Sequence, residues 1–229
     1  MSDEKTSLFE VLVTVLLGLA ALGGGWAGYQ ASQWGSTATE YYGKAATIAT
    51  RASTMYNHGV AIESRDSELD LKGKELMIAA VTAHDDVIKT RDLEVAKFLY
   101  TQHMSNDGYL ALGYPAEFHS HNKEKADSMT DEVLLAGMDS DLDEKYLDKQ
   151  LAPAMAKFAE SDKTFADGQK VSGDSTQFGL DGVFFTLALF LAGIALVVKN
   201  KLRLGFLVAG YGVALFAVIK LFSLPWYQA

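Results

Sequence analysis

The sequence has no cysteine and only three prolines in 229 residues. Lack of cysteine excludes a disulfide framework and thiol chemistry, and so few prolines leave long stretches with nothing to interrupt a helix. No G-x-S-x-G elbow, Walker loop or dinucleotide-binding glycine pattern is present, so the sequence signs of acyl-transfer and nucleotide chemistry are missing. Positive charge is scarce too. Twenty Lys and Arg stand against 29 Asp and Glu, a formal net charge of -9 that excludes a polybasic nucleic-acid binder.

Charge of either sign is nearly absent from the two ends of the chain. Residues 33–177 hold 40 of the 49 charged side chains, which leaves nine (Asp3, Glu4, Lys5, Glu10, Asp181, Lys199, Lys201, Arg203 and Lys220) for the other 84 residues. Two solvents are implied, water for the middle and lipid for the ends. The run from Val11 to Thr39 is uncharged, and a hydrocarbon core of ~30 Å needs about 20 helical residues to cross. A cleaved signal peptide is the competing reading. The acidic start, with Asp3 and Glu4, and the length of the apolar run oppose it. Residues 182–198 and 204–219 are two further uncharged runs, separated by Lys199, Asn200, Lys201, Leu202 and Arg203, and they predict a transmembrane hairpin.

Dense cationic clusters near spans stay cytoplasmic, so Lys199, Lys201 and Arg203 place the hairpin loop inside. The N-terminus is then also inside, and the polar middle, with 25 acids and 15 bases, is extracytoplasmic. In the first span, Ala20, Gly24 and Gly28 form a small-xxx-small ladder that lets another helix approach closely, in the same chain or a neighbouring one. Asp181 and Lys220 lie equally far from the middle of the hairpin loop, which predicts an ion pair at one depth near the outer interface. Charges within spans often mark ion or proton pathways. Near helix ends, however, they serve as anchors at low cost. Trp26, Tyr29 and Trp34, with Trp226 and Tyr227, form an interfacial aromatic belt, whose functional alternative is a lipid- or quinone-binding surface.

The middle of the chain is predicted helical throughout. Tyr42, Ala45, Ala49, Ala52 and Tyr56 follow 3-4 spacing, as do Leu69, Gly73, Leu76, Ala80, Ala83 and Val87, and Leu147, Leu151, Ala154, Phe158, Asp162 and Phe165. The first span is expected to continue into solvent to about residue 63. Ser67-Glu68-Leu69-Asp70 and Ser140-Asp141-Leu142-Asp143 read as capping patterns that start helices over about 68–104 and 141–171. Ser105 to Gly108 reads as a stop, and 108–139 as a looser segment with one short helix near Asp131 to Leu135. Pairs such as Glu68 with Lys72, Asp70 with Lys74, Asp85 with Lys89 and Asp141 with Lys145 read as solvated helix charges. The candidate metal set is Glu117, His119 and His121, which share one side of an extended loop. Exposed loop histidines are the plainer reading. His84 is expected on the apolar face of the second helix.

The run Trp26-Ala27-Gly28-Tyr29-Gln30-Ala31-Ser32-Gln33-Trp34, and the stretch from Gly173-Asp174 through Phe184-Phe185 to Ile194, resemble those of a group of uncharacterised bacterial inner-membrane proteins. In these a W-x-x-Y-Q-A-x-x-W first span is followed by a helical domain and a Phe-rich C-terminal hairpin. The likeness hardly touches 66–170 and implies an architecture rather than an activity.

The sequence therefore predicts an all-α membrane protein with three transmembrane helices and an extracytoplasmic helical bundle inserted between the first and second. Its parts are a first span (1–33), the bundle (34–177) and the hairpin (178–229), in the inner (plasma) membrane. No cofactor is expected. The lipid bilayer is one partner, and a second copy or a larger membrane complex another, with no nucleic acid. The function expected is non-enzymatic assembly. The alternatives are an extracytoplasmic ligand sensor without its own output domain, and an oligomeric channel or transporter component.

Overall fold

The computed structural model describes residues 8–119, 127–198 and 201–227. Its elements are α1 (Leu8–Thr82), α2 (Asp86–Phe98), a π-helical turn (Leu99–His103), α3 (Asn106–Ala111), α4 (Asp131–Ala136), α5 (Glu144–Val197) and α6 (Leu202–Ser223). No strand occurs among the described residues. Helices α1, α5 and α6 are each long and apolar enough to cross a membrane. The chain divides into two compact units, one of residues 1–46 with 161–229 and one of residues 47–160.

Helix α1 runs unbroken for 75 residues. One of its faces carries Gly24, Ala31, Ala38, Ala45, Ala52, Gly59, Asp66, Gly73 and Ala80 at seven-residue intervals, and all from Ala38 onward are buried. A strict seven-residue period keeps one helix face against a partner over many turns, and side chains this small let the partner backbone come close.

In the first unit that partner is α5. Ser175 donates its hydroxyl to the Ala31 carbonyl at 2.8 Å, and Ser161 donates to the Ala45 carbonyl at 2.8 Å. The two donors and the two acceptors are each separated by two heptads, so α1 and α5 run antiparallel in fixed register. Between these rungs Gly168 faces Tyr41 and Tyr42, where an added Cβ would lie 2.9 Å from the Tyr42 ring. Gly23 leaves room for the ring of Phe185. Helix α6 completes the unit. Gly210 admits Leu16, and Tyr211 donates to the Leu12 carbonyl at 2.8 Å. Val13, Leu16, Ala20, Ala27, Phe178, Phe185 and Ala188 form its core.

The second unit has its own core, built on Met77, Leu93, Tyr100, Tyr109, Leu112, Tyr114 and Leu134. Gly113, at φ +81°, ends α3 in the left-handed conformation that favours glycine. Gly59 brings α1 against the start of α5, and an added Cβ there would stand 2.8 Å from the Gln150 carbonyl.

Several sequence expectations are corrected. Helix α1 does not restart at Ser67, whose hydroxyl is held by Glu63 at 3.0 Å in mid-helix. The break comes at 83–85, where exposed His84 sits in the linker and Asp85 caps α2 through the Val87 N–H at 2.8 Å. Ser105 starts a helix instead of stopping one, since its hydroxyl accepts from the Gly108 N–H at 3.0 Å. The cap of α5 is Asp143, which accepts from the Tyr146 N–H at 3.0 Å. Phe165, expected in the core, is 47% exposed, and the buried face belongs to Ala154, Ser161 and Gly168.

The serine rungs yield a direct expectation. Each of Ser161→Ala and Ser175→Ala removes one interhelical hydrogen bond and lowers stability by about 1 kcal/mol. Ser161→Leu puts a large side chain into a seam built for small ones and costs more than either. Thermal unfolding of detergent-solubilised protein checks this, and equal melting of all three variants would remove the seam's assigned role.

Candidate functional site

The ladder read from the sequence divides between two faces of α1. Ala20 is fully buried and Gly24 meets Phe185 within the same chain, whereas Gly28 is exposed with nothing within 4 Å of an added Cβ. Gly28 belongs instead to a second, outward face formed by Thr14, Gly18, Ala21, Gly25, Gly28 and Ser32, all exposed and again at 3-4 spacing. Gly18 and Gly25 are as open as Gly28. Leu22, 75% exposed, and Tyr29, 47% exposed, lie beside this face.

At one end of the first unit the aromatics predicted as a belt meet each other. Trp26 lies 5.6 Å from Tyr29 and 5.7 Å from Trp226, and Trp34 lies edge-on to Tyr227 at 5.6 Å, measured between ring centroids. Trp34 donates its ring N–H to the Pro225 carbonyl at 3.1 Å. The buried Gln30 accepts from the Tyr227 N–H at 2.8 Å. These bonds tie the segment after α6 to α1.

Asp181 and Lys220 lie near the same level. Lys220 Nζ is 3.9 Å from Asp181 Oδ1, the outer limit of an ion pair. The lysine donates instead to Gln177 Oε1 at 3.0 Å. Asp181 is completely buried, and neither carboxylate oxygen has a hydrogen-bond partner among the described residues. Buried polar groups are nearly always satisfied, so such an exception calls for an explanation.

At the hairpin, Lys199 lies outside the described residues. Lys201 precedes α6, and the Arg203 guanidinium sits over the Phe9 ring at 4.5 Å. Phe9 carries no sequence signal that sets it apart from its apolar neighbours.

The second unit holds a buried acid and tyrosine cluster. Asp66 and Asp70 occupy the inner face of α1, one turn apart and both buried. Asp66 accepts from the Ser105 N–H at 3.0 Å, from the Tyr146 hydroxyl at 2.6 Å and from the Ser105 hydroxyl. Asp70 accepts from the Tyr100 hydroxyl at 3.0 Å and pairs with Lys74 at 2.9 Å. The expected solvated pair is thus largely enclosed, and Lys74 reaches on to Asp141 at 2.7 Å. Burial disfavours the Lys74 charge, but its bonds to Asp141 and Asp70 outweigh that and hold its pKa above the usual lysine value. Tyr100, Tyr109 and Tyr114 pack ring on ring, with centroids 5.1–5.2 Å apart. Chemically this is a closed clamp that joins α1 to the α2–α3 segment and α5.

Of the candidate metal set, His121 lies outside the described residues. His119 places Nε2 3.0 Å from the Met104 carbonyl and its ring 4.8 Å from that of Tyr109. No group of three potential metal ligands occurs among the described residues. No protein-family model, curated protein or solved structure matches the chain.

Burial raises the pKa of all four clustered tyrosines. Tyr109 is pushed up to about 12, with a smaller contribution from the Glu117 charge. Tyr100 and Tyr114 are also raised by Asp70, and Tyr146 by its bond to Asp66. The fold therefore favours neutral phenols. Their stabilising effect is complete below the unfolded-state value of 10.0; that of Tyr109 is lost as pH rises from there toward about 12, and that of the other three at higher pH still. In an alkaline titration followed by phenolate absorbance, these four are expected to ionise late, together with loss of helicity in the second unit. Ionisation of all ten tyrosines near the ordinary value with helicity intact would contradict the clamp.

Proposed function

We propose that this chain is a non-enzymatic, multi-pass protein of the inner (plasma) membrane that acts in assembly, as a homo-oligomer or as an accessory subunit of a larger membrane complex. In this reading the N-terminus and the hairpin loop are cytoplasmic, and residues 34–177 form an extracytoplasmic helical bundle. The Lys199, Lys201 and Arg203 cluster supports that orientation. The observation that carries assembly is the outward face of α1. Among the described residues nothing lies within 4 Å of a Cβ added at Gly18, Gly25 or Gly28, although close backbone approach is what small residues on membrane helices provide.

Because the chain lacks cysteine, a single Ser32→Cys substitution tests this cleanly. Copies that meet on the face are expected to crosslink at Cys-reactive distance in native membranes. Adding Gly25→Leu or Gly28→Leu should reduce the yield severalfold while leaving the monomer's fold intact, since both positions are open. Gly23→Leu, by contrast, disturbs the chain's own packing against Phe185. A second single-cysteine variant, Thr90→Cys, reports sidedness and is expected to react with an impermeant maleimide from the extracytoplasmic side. Strictly monomeric protein, with no crosslinked species of any kind, would end the assembly reading.

One observation favours a second reading, a channel or transporter component: the buried carboxylate of Asp181, without a hydrogen-bond partner among the described residues, beside Lys220 and Gln177. Intramembrane carboxylates of this kind commonly mark ion or proton pathways. Liposomes containing wild-type protein would then conduct protons or cations, and Asp181→Asn would abolish the flux. Equal flux through both proteins discards this reading.

A further inference from the structure

At the hairpin end of the first unit, Phe9, Lys201, Arg203 and Leu204 line an open groove of about 750 Å³. The Arg203 guanidinium carbon lies 4.5 Å from the Phe9 ring centre, within the range of a cation–π contact. The guanidinium's donors form a planar fork that suits phosphate oxygens, and no carboxylate among the described residues pairs with them. Lys201 supplies a second cation. Neither forms an ion pair with a carboxylate among the described residues, unlike Lys220 of α6, which has Asp181 within 3.9 Å. The N-terminal turn of α6 is also without a side-chain cap, so its N–H groups add to the positive potential.

The walls beyond the groove are apolar. Leu8 is 79% exposed, and Leu204, Val208, Leu215, Ile219 and Phe222 form an exposed stripe down one face of α6 that starts in the groove itself. A site with two cations at its head and a continuous apolar track leading away matches an amphiphile. Free phosphate would leave the track unused.

We infer that Phe9, Lys201 and Arg203 bind the phosphodiester headgroup of an anionic phospholipid, whose acyl chains lie along the outer face of α6. The inference rests on α6 lying in a bilayer. Alkaline carbonate extraction tests that separately, and release of the chain into the soluble fraction would defeat the membrane reading before the lipid question arises.

The test of the site uses the full chain in detergent and native mass spectrometry, with dioleoylphosphatidylglycerol and dioleoylphosphatidylcholine added in equal amounts. Wild-type protein is expected to retain phosphatidylglycerol preferentially. The double variant Lys201→Gln/Arg203→Gln should weaken that retention about tenfold or more, each cation near the surface contributing on the order of 1 kcal/mol. Charge-keeping Lys201→Arg/Arg203→Lys should retain most of the preference and guards against a folding artefact. Lys89→Gln/Lys145→Gln makes the same change in net charge in the second unit and should leave retention unchanged. Equal retention of the two lipids, or a double variant as selective as wild type, overturns the proposal. Glycerophosphoglycerol, the deacylated phosphodiester headgroup, is expected to compete poorly. Competition as effective as that of the lipid would make this a soluble-anion site and refute the lipid assignment.

Discussion

The close antiparallel approach of α1 and α5 is the constraint on which the first unit depends. Where α1 and α5 lie in a bilayer, as proposed, they gain little from burying apolar side chains, because lipid tails offer the same environment. What holds them is contact density and satisfied polar groups. The chain provides both at heptad spacing: alanine and glycine where backbones must meet, and serine where a hydroxyl can reach across. The Ser161 and Ser175 rungs do more than add two hydrogen bonds. A slip of one residue would bring side chains of a different size into the seam and aim both hydroxyls away from their carbonyls, so the rungs set register as well as affinity. Helix α6 then follows, its Gly210 and Tyr211 matched to Leu16 and Leu12 of α1.

In the second unit the same inner face of α1 meets a different need. There its partners are short helices joined by turns, with many backbone groups to satisfy. Where the preceding seam positions are Ala52 and Gly59, the next is Asp66, and its carboxylate gathers the Ser105 N–H, the Ser105 hydroxyl and the Tyr146 hydroxyl. Gly108 must be glycine for this contact, since an added Cβ would come within 2.5 Å of Asp66 Oδ2. Gly73 likewise leaves room for the Tyr100 ring, which the π-helical turn carries and whose hydroxyl reaches Asp70. Buried carboxylates are tolerated only when their acceptor positions are filled. The acids and the surrounding tyrosines and glycines therefore stand or fall together.

Much of the helical content was legible because it depends on local facts: few prolines, and uncharged runs long enough to cross a bilayer. The seam was harder to read. Alanine and glycine are also ordinary helix formers and spacers, and in the series from Leu147 to Phe165 the bulky Phe158 and Phe165 look more like core than Ala154 does. The repeat from Gly24 to Ala80 was nonetheless visible in the sequence, to anyone reading small residues at a period of seven as a buried face. The break assigned at Ser67 failed because a capping pattern is only local, and the heptad running through it prevails. Asp66 and Asp70 were not legible as a site. Ser105 and Tyr146 lie 39 and 80 residues from Asp66, so nothing near it in the sequence distinguishes it from a solvated acid.

The two charges within the first unit are unequal in what they require. Lys220 stands in the last turn of α6, where a cation is favoured by the helix dipole. It keeps 28% of its side-chain surface and donates to Gln177. Its charge would be tolerable there without any acid. Asp181 has none of these supports: no exposed surface, no hydrogen bond among the described residues, and a counter-ion at 3.9 Å that is already engaged elsewhere. A purely structural pair would be expected to satisfy both members. The imbalance locates the cost on the carboxylate, and a cost that packing and register do not require is the one to which a function can be attached. For that reason Asp181, more than Lys220 or the pair, keeps an ion-handling role in contention beside assembly.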